Sequence, residues 1–337
     1  MKHCPACHAV YRLEIEFCFR EGTVLVEGAA PIVLNNPTGR LDAYAPEGQL
    51  AAGDSGVVHL ARLAAQPYGP ELAVKVLDPR ASAGHRARFL AAYTEGRELH
   101  GEGLTRVLDL GEQDDLAFAT MPRLRGRTLA EVVEHVRQHE GAVPPWQALA
   151  IAADLAEALR VLHPGGPHGN VHPRQVMVTE EGAVVLLGFR DVFPLDPCAV
   201  NGALHRYAFA APEQLRGEPA TVASDLYSVA ALAATLLASG RTLERDDVSS
   251  TVLAVLTESL DLPRKGLPRA ARKALVACLD ERPDRRPESA RELAAAMRDG
   301  LVRLGGPTVA TGRQAWVTAL FAQPATPEVV QVEVSSD

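Results

Sequence analysis

The sequence predicts an α+β chain in which a strand-rich part precedes a helical one, and three observations carry that prediction. From Leu41 to about Tyr68 apolar and polar residues alternate around Gly53 and Gly56, and Glu71 to Leu77 continues with a short strand, as expected of half-buried β-structure. After Thr128 the apolar spacing becomes helical, and helices dominate from Val222 to Leu304. The length of 337 residues, with 47% hydrophobic and 23% charged, is that of one large globular domain with an appendage, or of two domains.

Taken in order, residues 1–27 form a small cysteine-bearing unit. Residues 28–40, with Pro31, Asn35, Asn36, Pro37 and Gly39, read as a linker. The main domain spans 41–304. Within it, Thr128 with Glu131 three residues on is a capping-box start for a helix to about His139, and Pro144-Pro145 opens a second helix to His163. Gln175–Thr179 and Ala183–Leu187, separated by Glu180-Glu181-Gly182, are two short strands joined by a turn. Residues 305–337 carry Pro307, Pro324 and Pro327 among small polar residues without a sustained period, and a disordered tail is expected there. No internal repeat is present.

The net charge of -8 argues against a nucleic-acid partner, which calls for a basic surface. The longest apolar run, Leu226 to Ala238, is shorter than a membrane span, and the N-terminus lacks the apolar stretch of a signal peptide. No membrane partner and a cytoplasmic location are therefore expected. Five cysteines, three of them in the first 18 residues, point to metal rather than disulfides.

Cys4-x-x-Cys7 is a knuckle whose turn lets two thiolates face one ion, and Cys18 follows ten residues beyond Cys7. A zinc ribbon would place a second cysteine at position 21, where this chain has Glu21; His3 and His8 are rival fourth ligands. The stretch from Cys4 to Leu25 resembles the short zinc-ribbon modules found ahead of bacterial serine/threonine kinase domains. The expected cofactor is a structural zinc on Cys4, Cys7, Cys18 and Glu21. A metal-free turn with ordinary thiols is the alternative.

In the main domain, Gly53-x-x-Gly56-x-Val58 sits between strands, and Ala73-Val74-Lys75 follows in the next. A glycine turn alone is common to tight hairpins. Lys75 stands out because only four of the 34 basic residues are lysines, so a lysine there suggests a need for a point charge rather than a guanidinium fork.

The segment LHPGGPHGNVHPRQVMVTEEGAVVLLGFRDV resembles the part of protein kinases that holds the catalytic loop and the metal-binding strand, written H-R-D-x-K-P-x-N and later D-F-G. His168, Pro173 and Phe189 match the His, Pro and Phe of those motifs. Ala211-Pro212-Glu213 matches A-P-E, Asp225 lies in SDLYS, and Arg286 in RPDRRP is the partner implied for Glu213. On this resemblance, Leu41 to Leu304 is a two-lobed bacterial kinase-like domain of the eukaryotic type, with a β-rich small lobe and a helical large lobe. It implies Val58, Ala73 and Met177 around an adenine ring and Lys75, Gly53 and Gly56 at the phosphates. Ordinary core is the alternative for the apolar three.

Departures from the family's pattern set the functional expectation. The catalytic Asp is Asn170, an amide with no carboxylate to accept a proton. The following Lys is His172, the metal-ligand Asn is Gln175, and the D-F-G Asp is Gly188. Asp191 substitutes for the last only if the register slips by three. The ion-pair partner of Lys75 is Ala92, with Glu95 one turn along the same face as a possible rescue. The first glycine of the turn is Ala51, the Arg of H-R-D is Gly169, and no Ser or Thr lies between Gly188 and Glu213. The expectation is a pseudokinase: a signalling or scaffold module for a protein partner, such as an active kinase, with at most weak ATP binding and no magnesium. The alternative is an unorthodox serine/threonine kinase using Lys75, Gln175 and a displaced carboxylate such as Asp191.

Overall fold

A computed structural model describes residues 38–305 apart from 54, 139–142, 191–203 and 264, with three two-residue strands before them and a few helical residues between 312 and 319. The early strands β1 (Lys2–His3), β2 (Val10–Tyr11) and β3 (Val26–Glu27) pair antiparallel in the order β2-β1-β3. Cys4, Cys7, Cys18 and Glu21 lie outside the described residues, as do Asp191 and most of the expected tail.

The small lobe is a five-stranded antiparallel sheet of β4 (Tyr44–Gly53), β5 (Gly56–Leu63), β6 (Leu72–Leu77), β7 (Asp109–Gln113) and β8 (Leu116–Pro122), in the order β4-β5-β6-β8-β7. Strand alternation divides β6 between two environments. Leu72 and Val74 point into a core with Tyr44, Ala61, Leu108 and Phe118. Ala73, Lys75 and Leu77 face the other way, toward α1 (Ala83–Glu98) and the large lobe. Helix α1 is started by Ser82, whose side chain accepts from the His85 amide. It buries Phe89, Ala92, Tyr93 and Gly96, one face at helical spacing.

A second small sheet, β11-β10-β9, holds β9 (Gly126–Thr128), β10 (Val176–Thr179) and β11 (Val184–Leu186). The capping box predicted at Thr128 is formed: its amide donates to Glu131 at 2.7 Å and the Glu131 amide to Thr128 Oγ1 at 3.3 Å, opening α2 (Leu129–Gln138).

Helix α3 (Pro145–Leu162) starts at the predicted Pro pair, and with α6 (Val222–Leu237) it is apolar almost all round, because other helices cover both. Helices α4 (Leu204–Phe209), α5 (Pro212–Leu215), α7 (Val248–Thr257), α8 (Arg269–Cys278) and α9 (Ala290–Arg303) complete the large lobe. Among the described residues no helix is long and apolar enough to cross a membrane.

The large lobe is pinned by a buried ion pair. Arg286 donates from both terminal nitrogens to Glu213, at 2.7 and 2.8 Å, and stacks over Tyr227. Burial raises the Glu213 pKa, but the bonds from Arg286 and Ser224 outweigh it and hold the carboxylate below its usual range. This is the pairing implied at the sequence level.

Candidate functional site

The site lies between the sheet of the small lobe and the β9–β11 sheet. Ala73 and Met177 are part-exposed, each between two buried strand neighbours, so each lies on the more open face of its strand. Val58 pairs with Lys75 across β5 and β6, and Ala73 pairs with Met121 across β6 and β8. Met121 was not singled out from the sequence. Its signal was position alone, at the end of the apolar run Leu116–Pro122.

The glycine turn is shaped for a close approach. Gly56 has φ +134, and a Cβ there would collide with the Val76 carbonyl oxygen. A Cβ at Gly53 would meet nothing within 4 Å, so that side of the turn is open.

Lys75 is 7% exposed, and its Nζ lies 5.8 Å from the ring centre of Phe89 and 5.6 Å from that of Tyr93. Glu95, weighed as its substitute partner, pairs instead with Arg190.

The loop from His168 is built on Asp225. Asp225 accepts from the amides of His168 at 2.7 Å and Gly169 at 2.8 Å, and pairs with His163 Nε2 at 3.0 Å. His163, read from sequence as a helix-end histidine, is thus a second anchor for this aspartate. His168 Nδ1 accepts from the Asn170 amide, which places its proton on Nε2, 3.2 Å from the Leu187 carbonyl. Gly169 has φ +74, and its carbonyl accepts from Gln214. Asn170 Oδ1 accepts from Arg206 Nε at 3.1 Å.

His172 is 3% exposed, with its ring 4.7 Å from that of His205. Burial, then the charges of His205 and Arg206, hold its pKa well below 6.5, so it is neutral at pH 7 and supplies no cation in place of the family's lysine. Gln175 is half-exposed, and its carbonyl accepts from the Leu187 amide.

Gly188 has φ +77, and the next residue, Phe189, is buried against α1, edge-on to Tyr93 at 5.5 Å. Arg190, at φ +30, donates to the carbonyls of Leu162 and Gly166. The described residues do not make a magnesium cage: Gly188 offers no ligand, Gln175 one carbonyl, and no three His, Cys, Asp or Glu groups cluster.

The fold and this arrangement define a protein-kinase domain. The pattern of the family described as protein tyrosine and serine/threonine kinase matches residues 46–296, and the chain belongs to that family. Among its relatives, a probable serine/threonine-protein kinase of Clostridium perfringens is 24% identical over 72% of this chain and 36% of its own length. A serine/threonine-protein kinase of Corynebacterium efficiens is 29% identical over 70% of this chain and 46% of its own. The chain thus spans less than half of these relatives. The crystal structure of the Mycobacterium tuberculosis PknI kinase domain superposes with a TM-score of 0.60 at 23% identity, over 77% of this chain and 96% of that one, a likeness of fold.

These relatives correct the pseudokinase expectation. They are named as kinases, and against that the substitutions at Asn170, His172 and Gly188 do not make this chain a pseudokinase. The physical reason is that phosphoryl transfer asks little covalent chemistry of the protein: positioning and electrostatics dominate, and proton acceptance need not come first.

Proposed function

We propose that the chain is an unorthodox serine/threonine protein kinase, transferring the γ-phosphoryl group of ATP to a protein hydroxyl. The supporting observation is family membership over residues 46–296 with Lys75 in place on the cleft face of β6. The family implies ATP, taken as its magnesium complex. Lys75 and the amides around Gly53 and Gly56 meet the phosphates, while Val58, Ala73, Met121 and Met177 enclose the base.

Asn170 Oδ1 accepts from Arg206 and keeps a lone pair for the substrate hydroxyl, which it orients but does not deprotonate. As the hydroxyl oxygen bonds to the γ-phosphorus, the bond to the bridging oxygen breaks and ADP leaves with that electron pair. The hydroxyl proton passes to an oxygen of the transferred phosphoryl group. Radiolabelled ATP with casein as acceptor should yield labelled Ser or Thr, lost in Lys75→Met; no label above a mock purification overturns the proposal.

The unit ahead of the domain is read as zinc-binding through Cys4, Cys7 and Cys18, with Glu21 as fourth ligand, on spacing alone. A mass-spectrometric metal count near one per chain supports this, and one near zero overturns it.

A further inference from the structure

We propose that Thr38 is a phosphorylation site, and that a phosphate there opens a strap, residues 38–42, from the edge of the small-lobe sheet. The inference rests on the kinase reading for the source of the phosphoryl group: ATP, transferred by a second copy of this chain.

Strand β7 is the edge of the five-stranded sheet, and its alternate residues Asp109, Gly111 and Gln113 carry the strap along one face. Asp109, 1% exposed, accepts from the amides of Thr38 at 2.9 Å and Gly39 at 3.1 Å, from Thr38 Oγ1 at 3.3 Å, and from the Tyr44 hydroxyl at 2.6 Å. Over Gly111 the strap comes so close that a Cβ would collide with the Gly39 carbonyl oxygen. Gln113 Oε1 accepts from the Leu41 amide at 3.0 Å and the Asp42 amide at 3.4 Å.

The strap thus meets the buried carboxylate with donors alone. Thr38 is exposed, and its hydroxyl makes only long bonds, 3.3 Å to Asp109 and 3.3 Å to the Arg40 carbonyl, so it is weakly held and open to reaction. In the transfer, Oγ1 bonds to the γ-phosphorus of ATP, the bond to the bridging oxygen breaks, and ADP leaves with that electron pair. The hydroxyl proton passes to a phosphoryl oxygen. The product sets about 1.5 to 2 negative charges at pH 7 beside Asp109, where a donor stood. Two anions repel strongly where water is excluded, and the phosphate competes for the same amides.

The opposite face of β7 meets α1, where Glu112 pairs with Arg86 at 3.1 Å. Residues 38–40 also end the linker read from the sequence, so an open strap lengthens the tether between the cysteine-bearing unit and the small lobe.

The full chain incubated with ATP and magnesium, with casein in the same reaction, should carry phosphate on Thr38 by peptide mass spectrometry. Hydrogen exchange reads the strap. With phosphothreonine installed at position 38 during synthesis, the peptide covering 38–42 should exchange about tenfold faster than in the unmodified chain, and in Thr38→Val within about twofold of it.

Labelled casein beside a bare Thr38 overturns the modification site. Equal exchange with and without the phosphate overturns the opening of the strap. If neither casein nor Thr38 is labelled, the kinase reading falls and Thr38 as its substrate with it, while exchange in the phosphothreonine protein still decides whether the strap answers a phosphate.

Discussion

Glu95 in α1 forms an ion pair with Arg190, two residues beyond Gly188, and so ties the helix of the small lobe to the end of α3 in the large lobe. The same guanidinium donates to the carbonyls of Leu162 and Gly166, where α3 has run out of internal donors. The two ends of the pair are unequal. Glu95 is half-exposed, so its charge is screened, and Glu95→Gln should cost about 0.5 to 1 kcal/mol. Arg190→Ala also leaves two carbonyls unpaired and should cost about 2 to 3 kcal/mol. Urea unfolding of both variants checks the order; equal losses would show that the carbonyl bonds contribute nothing.

Gly96 is held to glycine by Phe189. A Cβ at Gly96 would lie 2.7 to 2.9 Å from three ring atoms of Phe189, and both residues are buried. Gly96→Ala should gain from helix propensity and lose more from overpacking, for a net cost of about 1 to 3 kcal/mol. The double variant Gly96→Ala with Phe189→Leu should recover part of that loss. Thermal denaturation measures both, and a Gly96→Ala variant more stable than its parent would contradict the packing.

His172 predicts a pH dependence of stability. Its folded pKa is held well below 6.5 by burial and by His205, Arg206, His168 and Arg174, whereas the unfolded chain titrates near 6.5. Below about pH 6.5 the unfolded state therefore binds a proton that the folded state refuses, and stability falls with pH until the folded pKa is reached. The melting temperature should drop from pH 7.5 to 5.5 by less in His172→Gln than in the unmodified protein. An equal drop would mean that this histidine contributes nothing to the pH dependence.

Gly188→Asp restores a carboxylate at the end of the β11 segment. Position 188 has φ +77, a region Asp enters more readily than most residues, so the change should cost about 1 kcal/mol of stability. It should also raise the gain in ATP affinity on adding magnesium by about tenfold, or 1.4 kcal/mol. Calorimetry with and without magnesium reads this directly. No change in the magnesium response would show that a side chain at 188 does not reach the nucleotide phosphates.

Much of the fold was legible because local chemistry and tertiary packing agree. The Thr128–Glu131 capping box, the Pro144-Pro145 start and the glycine turn between β4 and β5 act over three or four residues and fall where the sequence places them. Helix α1 was not delimited from the sequence: charged residues and small ones interrupt its apolar face, so its period is faint until Phe89, Ala92, Tyr93 and Gly96 meet their neighbours. The functional consequence was misread: the substitutions at Asn170, His172 and Gly188 pointed to a pseudokinase while the relatives are named as kinases, and residue type alone does not say how much phosphoryl transfer rests on positioning.

By itself the sequence determined the order of strands and helices, the rarity that marks Lys75, and the Glu213–Arg286 pairing implied by its motifs, because these depend on residue type and spacing. The tertiary structure alone decided which groups surround Lys75, that Glu95 turns to Arg190, that His172 is buried neutral, and that His163 anchors Asp225. Each of those contacts joins residues far apart in the chain, in most cases from separate elements. Their distance, burial and competition for partners arise only once the lobes have packed, and no local pattern encodes them.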